Sequence, residues 1–216
     1  ILYFNKENYN IILILSFLIM FFMFIGFVDD LLSLKKKLNT GLTSNQKLVL
    51  QLFISIIFIL ICYSNNFIPN TIQIGNTFFN IGNLIYPLGV FVLLAESNST
   101  NLTDGLDGLL SGCGALIFTG LAITILIENP SINLSLSPLC MVMAGACVGF
   151  LFFNKYPAKL FMGDSGSLAI GASLGGIALI SGNLWSLLIM GGVLAAESIS
   201  VIIQVSIFKI SKKLYG

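Results

Sequence analysis

The feature that most limits what this chain can fold into is a series of seven apolar runs, at 11–28, 48–63, 84–95, 109–127, 139–153, 168–180 and 184–208, separated by short polar stretches. Charged residues are 9% of the 216, where a soluble domain carries about 25%, and the mean hydropathy is +0.99. A chain of this size folded in water still exposes much of its surface, so these side chains cannot all hide in one aqueous core. Lipid has to be the solvent for most of them, and the same arithmetic excludes disorder. The pattern predicts an all-α polytopic membrane bundle with about seven transmembrane helices, forming a single domain over residues 1–216. Several runs fall short of the ~20 residues that a lone bilayer-crossing helix needs. Those are expected only as members of a packed bundle, with Gly112, Gly114, Gly145, Gly149, Gly171, Gly175, Gly176, Gly191 and Gly192 at close helix contacts. Ile1 to Phe4 reads as the tail of an apolar run, so a fragment incomplete at both termini is expected. With no basic leader before the first full run, a signal peptide is not.

A net charge of +1 gives no steer toward nucleic acid. All ten cations are lysines, and nine of them lie in 29–47, 154–166 and 209–216, which seven spans place on one side; Lys6 alone falls on the other. The positive-inside bias makes the lysine-rich side cytoplasmic. Cys62, Cys113, Cys140 and Cys147 lie inside apolar runs without metal-type spacing and read as small core residues. With no histidine in the sequence, imidazole chemistry is excluded.

On this topology all five aspartates share the lysine-rich face. Asp29 and Asp30 close the first full span, Asp104 and Asp107 sit in the expected loop 96–108, and Asp164 sits in 154–166. Asn101-Leu-Thr-Asp-Gly-Leu-Asp-Gly108 holds more oxygen ligands than a helix start can use, with its two aspartates three apart and on one face if helical. Phe161-Met-Gly-Asp-Ser-Gly-Ser167 precedes an apolar helix whose free N–H groups attract anions, although Asp164 also reads simply as that helix's cap. The pair Asp29-Asp30, at what reads as a helix C-terminus, is opposed by the macrodipole and calls for a compensating cation. Hard oxygen ligands on several loops imply Mg²⁺ or Mn²⁺ holding a diphosphate, hence phosphoryl transfer at a membrane surface.

Five blocks in order carry a resemblance to a known family: Gly26-Phe-Val-Asp-Asp30, Gly41-Leu-Thr-Ser-Asn-Gln-Lys47, Asn101-Leu-Thr-Asp-Gly-Leu-Asp-Gly-Leu109, Phe153-Asn-Lys-Tyr-Pro-Ala158 with Phe161-Met-Gly-Asp-Ser-Gly-Ser-Leu168, and Glu197-Ser-Ile-Ser-Val-Ile-Ile-Gln204. Together they resemble the polyprenyl-phosphate N-acetylhexosamine-1-phosphate transferases, and within them the phospho-N-acetylmuramoyl-pentapeptide transferase family. The resemblance implies a ten-helix, Mg²⁺-dependent enzyme of the bacterial inner membrane, a homodimer. It would move phospho-MurNAc-pentapeptide from its UDP nucleotide-sugar to the lipid undecaprenyl phosphate, giving lipid I and UMP. It implies that Asp29 and Asp30 are the acidic pair, one of them a base on the lipid phosphate, and that Asp164 is a metal ligand. Asn101, Asp104 and Asp107 match the nucleotide side of the cleft, Asn154 and Phe161 match residues around the uracil, and Lys37 matches a cytoplasmic-loop lysine.

This sequence departs from the pattern in three ways: Ser33 stands where the family has lysine, the family's first helices are absent, and so are its histidine-rich loop and last helix. The expectation is therefore that these 216 residues alone do not turn over. The alternatives are a UDP-GlcNAc donor in place of the muramoyl one, an inactive fragment of either enzyme, and an ion-coupled transporter, for which Glu197 is the one intramembrane acid.

Overall fold

The computed structural model describes residues 6–36, 41–75, 77–128 and 133–215, with side chains over 9–35, 41–75, 77–128 and 135–208. Lys37, one of the expected substrate contacts, lies outside the described residues. The helices are α1 (Lys6–Lys36), α2 (Ser44–Ser64), α3 (Ile85–Thr103), α4 (Leu109–Glu128), α5 (Asn133–Asn154), α6 (Gly163–Ser181), α7 (Leu184–Met190) and α8 (Gly192–Tyr215). One element departs from the all-α expectation. Between α2 and α3 an antiparallel hairpin pairs β1 (Thr71–Ile74) with β2 (Thr77–Asn80), Thr71 opposite Asn80 and Ile74 opposite Thr77.

Among the described residues five helices, α1, α2, α4, α5 and α6, are long and apolar enough to cross a bilayer, and α7 with α8 makes a sixth if the pair is one broken span. The count differs from the expected seven for two physical reasons. The run 84–95 does form a helix, but α3 continues through Glu96-Ser-Asn-Ser-Thr-Asn101, so its C-terminal half is largely polar. The run 184–208 breaks at Gly191 and Gly192, the residues least able to hold a helix short of proline, and the two pieces meet at 66°.

Helix α6 is the centre of the bundle. Every residue from Ser167 to Ser181 is buried, and α1 and α3 flank it. The contact is backbone to backbone: a Cβ on Gly171 would stand 2.4 Å from the Ser97 Cα, and one on Gly26 would stand 2.2 Å from the Asp164 carbonyl oxygen. Gly175 and Gly176 also meet neighbouring helices, as expected, but Gly112, Gly145, Gly149 and Gly192 have no such neighbour within 4 Å. Large apolar side chains such as Phe17, Phe24, Phe53, Leu116 and Ile127 face outward, which is the surface a multi-pass membrane protein presents to acyl chains. Cys62, Cys140 and Cys147 are buried and Cys113 half-buried, all as free thiols.

Candidate active site

Helix boundaries set the site. Because α1 runs on to Lys36, Asp29 and Asp30 lie inside a helix and not at its end, which corrects the macrodipole argument made from sequence. Because α3 runs to Thr103, Asn101 projects from a helix and the expected loop shrinks to 104–108. At the head of α2, the Thr43 hydroxyl accepts from the Gln46 N–H at 3.3 Å while the Gln46 side chain accepts from the Thr43 N–H at 3.0 Å. This reciprocal cap fixes the start of α2 and puts Lys47 in its first turn.

These elements bring four side chains together around Asp164. The Lys47 ammonium donates to Asp164 Oδ2 and lies 3.6 Å from Asp29 Oδ2. Asn101 Nδ2 donates to Asp164 Oδ1 at 2.6 Å and to the Ser167 hydroxyl at 3.0 Å. Asp29 Oδ1 accepts from the Leu42 N–H at 2.8 Å. Asp30 plays a different part: its two oxygens accept from the N–H groups of Asp164 and Ser165, at 3.2 and 3.0 Å, and from the Ser165 hydroxyl at 2.6 Å. Helix α6 is thus capped by a carboxylate from α1, and its N-terminal partial positive charge is part of what compensates the acidic pair. Gly163, at φ +67, lets the chain turn in beside Asp30; a Cβ there would stand 2.9 Å from Asp30 Oδ2.

One carboxylate oxygen from each of Asp29, Asp30 and Asp164 lies within 4.8 Å of the others. Three carboxylates against one ammonium leave the cluster about two charges negative, a balance that a divalent cation meets. The donors are hard oxygens, which suits Mg²⁺ or Mn²⁺, and Lys47 already holds a positive charge in their midst. The residues fit the metal that the sequence implied.

The remaining expected residues lie around this cluster. Asp104 caps the C-terminal end of α3, and burial pushes its carboxyl up to about 6, against the pull of the Gly163 N–H and with help from the charges of Asp164 and Asp30. Asp107 is exposed, and its Oδ2 accepts from the Ala158 N–H at 2.9 Å. Since 104–108 is a turn and not a helix, the two aspartates have separate partners instead of sharing a face. Asn154 is buried and ties two loops together: its Oδ1 accepts from the Gly108 N–H at 3.1 Å and the Ser111 hydroxyl at 3.0 Å, and its Nδ2 donates to the Leu160 carbonyl at 3.0 Å. Phe161 is 76% exposed, a free ring three residues before Asp164. Sequence reasoning missed Lys47 and Ser165 as site residues. For Lys47 the Thr43/Gln46 capping pattern signals its place on the first turn of α2, but not its partner.

Known proteins resemble this chain over most of its length. The family model described as Glycosyl transferase family 4 matches residues 12–182. A Phospho-N-acetylmuramoyl-pentapeptide-transferase of Prochlorococcus marinus (strain NATL2A) is 83% identical over 216 residues, all of this chain and 58% of that protein. Proteins of the same name from Synechococcus sp. (strain CC9605) and Prochlorococcus marinus (strain MIT 9313) are 52% and 51% identical, over 93% and 96% of this chain and 58% and 56% of their own lengths. The chain thus spans a little over half the length of the curated relatives it matches. The matched region takes in α6 and the helices around it, and the chain belongs to glycosyl transferase family 4.

Proposed function

We propose that the protein transfers phospho-MurNAc-pentapeptide from UDP-MurNAc-pentapeptide to undecaprenyl phosphate in the bacterial inner membrane, with its site on the cytoplasmic face. The observation that carries this reading is the convergence of Asp29, Asp30 and Asp164 on one point, with Lys47 among them. The names of the relatives supply the transferred group, phospho-N-acetylmuramoyl-pentapeptide, and the family resemblance supplies its UDP carrier and the undecaprenyl phosphate acceptor. The lysine count supports the orientation, because the segments around 29–47 and 154–166 meet at this end of the bundle.

In the reaction an oxygen of the lipid phosphate attacks the β-phosphorus of the donor. The bond from that phosphorus to the bridging oxygen breaks, and UMP leaves with the electron pair. A bound Mg²⁺ or Mn²⁺, held by Asp164, would offset negative charge on the diphosphate. Asp30 has both oxygens engaged at the N-terminus of α6, so its part is to hold Asp164 in place. Asp29, whose Oδ2 stands off from the Lys47 ammonium at 3.6 Å, is the carboxylate placed to take a proton from the acceptor. Lys47 then serves the phosphates as a point charge. On the donor side Phe161 offers its open face to the uracil, Asp107 and Asn154 shape the loop that carries it, and Asn101, Asp104 and Lys37 complete the contacts.

The test is UMP release by the intact protein in membranes supplied with undecaprenyl phosphate and either UDP-MurNAc-pentapeptide or UDP-GlcNAc. Mg²⁺-dependent release with the muramoyl donor, reduced at least ~10²-fold in Asp164→Asn, is expected. Undiminished release by a folded Asp164→Asn protein would remove Asp164 from the mechanism, and preference for UDP-GlcNAc would replace the substrate.

A further inference from the structure

One helical turn deeper than the Asp164 cluster, α2 and α3 meet a second time through polar side chains. Gln51, fully buried, accepts at Oε1 from Asn98 Nδ2 at 2.9 Å, and the same Asn98 amide donates to the Leu94 carbonyl at 2.8 Å. Gln51 follows Lys47 by four residues and Asn98 precedes Asn101 by three, so on each helix the deeper side chain lies beneath the one that reaches Asp164. The two helices are therefore joined by two rungs: Gln51 to Asn98 directly, then Lys47 and Asn101 through the opposite oxygens of Asp164.

The deeper rung is costly where it stands. Gln51 Nε2 and the Ser55 hydroxyl, one turn further along α2, are both buried with no hydrogen-bond partner among the described residues. Burying polar groups without partners costs stability, whereas the next positions of the same α2 face, Phe58, Ile59 and Cys62, pack as apolar core. An apolar pair at 51 and 98 would hold the helices together too, but it would not fix their axial register. A hydrogen bond does, since sliding one helix by a single residue rise of about 1.5 Å breaks it.

We propose that Gln51 is a positioning residue for the metal site: through Asn98 it sets the register of α2 against α3, and so delivers Lys47 and Asn101 to the two oxygens of Asp164. This rests on the reading of Asp164 as the metal-holding carboxylate. The role belongs to the Gln51 oxygen and not to its unpartnered NH₂, so glutamate, which keeps an acceptor there, substitutes for it and leucine does not.

Mn²⁺ binding to the purified intact protein, followed by electron paramagnetic resonance, tests this without reference to turnover. Gln51→Leu and Asn98→Leu are each expected to weaken Mn²⁺ binding about tenfold, the range seen when side chains behind a metal ligand are removed. The double variant should be no weaker than either single one, as for residues acting through one contact, and Gln51→Glu should stay within about threefold of the starting protein. A merely structural role would lower the fraction of protein that binds without changing the affinity of the rest. Should Gln51→Leu fail to fold, Asn98→Leu and Gln51→Glu decide the matter. Unchanged affinity in Asn98→Leu and Gln51→Leu, or a folded Gln51→Glu as weak as the leucine variant, would overturn the proposal while leaving the metal site standing. No Mn²⁺ binding by the unaltered protein would overturn the metal reading and this proposal with it.

Discussion

Replacing Gly26 by alanine adds one methyl group where α1 crosses the first turn of α6, and the structure says how far the helices must then part. The new Cβ would stand 2.2 Å from the Asp164 carbonyl oxygen, 2.3 Å from its carbon and 2.5 Å from the Ser165 nitrogen, whereas ordinary contact begins at 3.4 Å. All three are backbone atoms, so no rotamer change relieves the clash, and α1 has to retreat by about 1 Å. Asp30 is one turn further along α1. Its hydrogen bonds to the Asp164 and Ser165 N–H groups, now 3.2 and 3.0 Å, would lengthen to roughly 4 Å, beyond useful range. Overpacking of this kind costs about 1–3 kcal/mol. A 1 Å misplacement passed on to Asp164, which Asp30 holds, costs on the order of 10²-fold in rate. The assay is UMP release per folded protein, with thermal unfolding of the same preparations in detergent. Gly145→Ala is the control, because a Cβ there meets nothing within 4 Å and alanine is the better helix former by up to about 1 kcal/mol. A Gly26→Ala protein that matches the unaltered one in both rate and unfolding temperature would refute the claim that this crossing sets the site.

Other outcomes follow from the same contacts. Asp104 has an ordinary value of 3.8 when unfolded and is pushed up to about 6 when folded. Between these values the folded state binds more protons, so its contribution to stability falls as pH rises from about 4 to 6; unfolding temperatures of Asp104→Asn should lack that slope, and an identical pH dependence would contradict it. Asp107→Ala leaves the Ala158 N–H without its acceptor and loosens the turn carrying Phe161. It should therefore raise KM for the nucleotide-sugar several-fold with little change in kcat, and a pure kcat effect would argue against a donor-side role. A cysteine introduced at Lys155, an exposed position, should react with membrane-impermeant reagents only in inverted vesicles; labelling from outside whole cells would reverse the orientation.

What could be read from sequence was whatever depends on composition and on residues close in the chain. Aspartates gathered at one end, apolar runs that become helices and the glycines at 171, 175 and 176 all follow from local pattern, and the structure has the close glycine contacts, although two of the seven runs do not make single unbroken spans. Lys47 is different: it meets Asp164 across 117 residues of chain, and nothing in its own neighbourhood names that partner. The placement of Asp29 and Asp30 failed because apolarity stops at Val28 while hydrogen bonding carries α1 another two turns, to Lys36. The hairpin was missed for the opposite reason. Thr-Ile-Gln-Ile, then Gly75 and Asn76, then Thr-Phe-Phe is a two-residue hairpin signal, but a search for long apolar runs passes over strands of four residues. Asn154 reads from sequence as a ligand-facing polar residue, and only its three hydrogen-bond partners show it fastening one loop to another.

The near-complete enclosure of α6 has a consequence for how the protein is made. Its first turn is rich in glycine and serine, its length is the least apolar of the five spanning helices, and its flanks are covered by α1 and α3. A segment like this gains little by leaving the insertion channel for bare lipid, whereas α1 is apolar enough to partition there unaided. Both flanking helices precede α6 in the chain, so the faces that cover it and the carboxylate that caps its first N–H groups are synthesised before it. Stable membrane residence of α6 is thereby tied to assembly of the acidic site, and a chain whose α1 is misplaced leaves its least apolar span without the helix that covers and caps it.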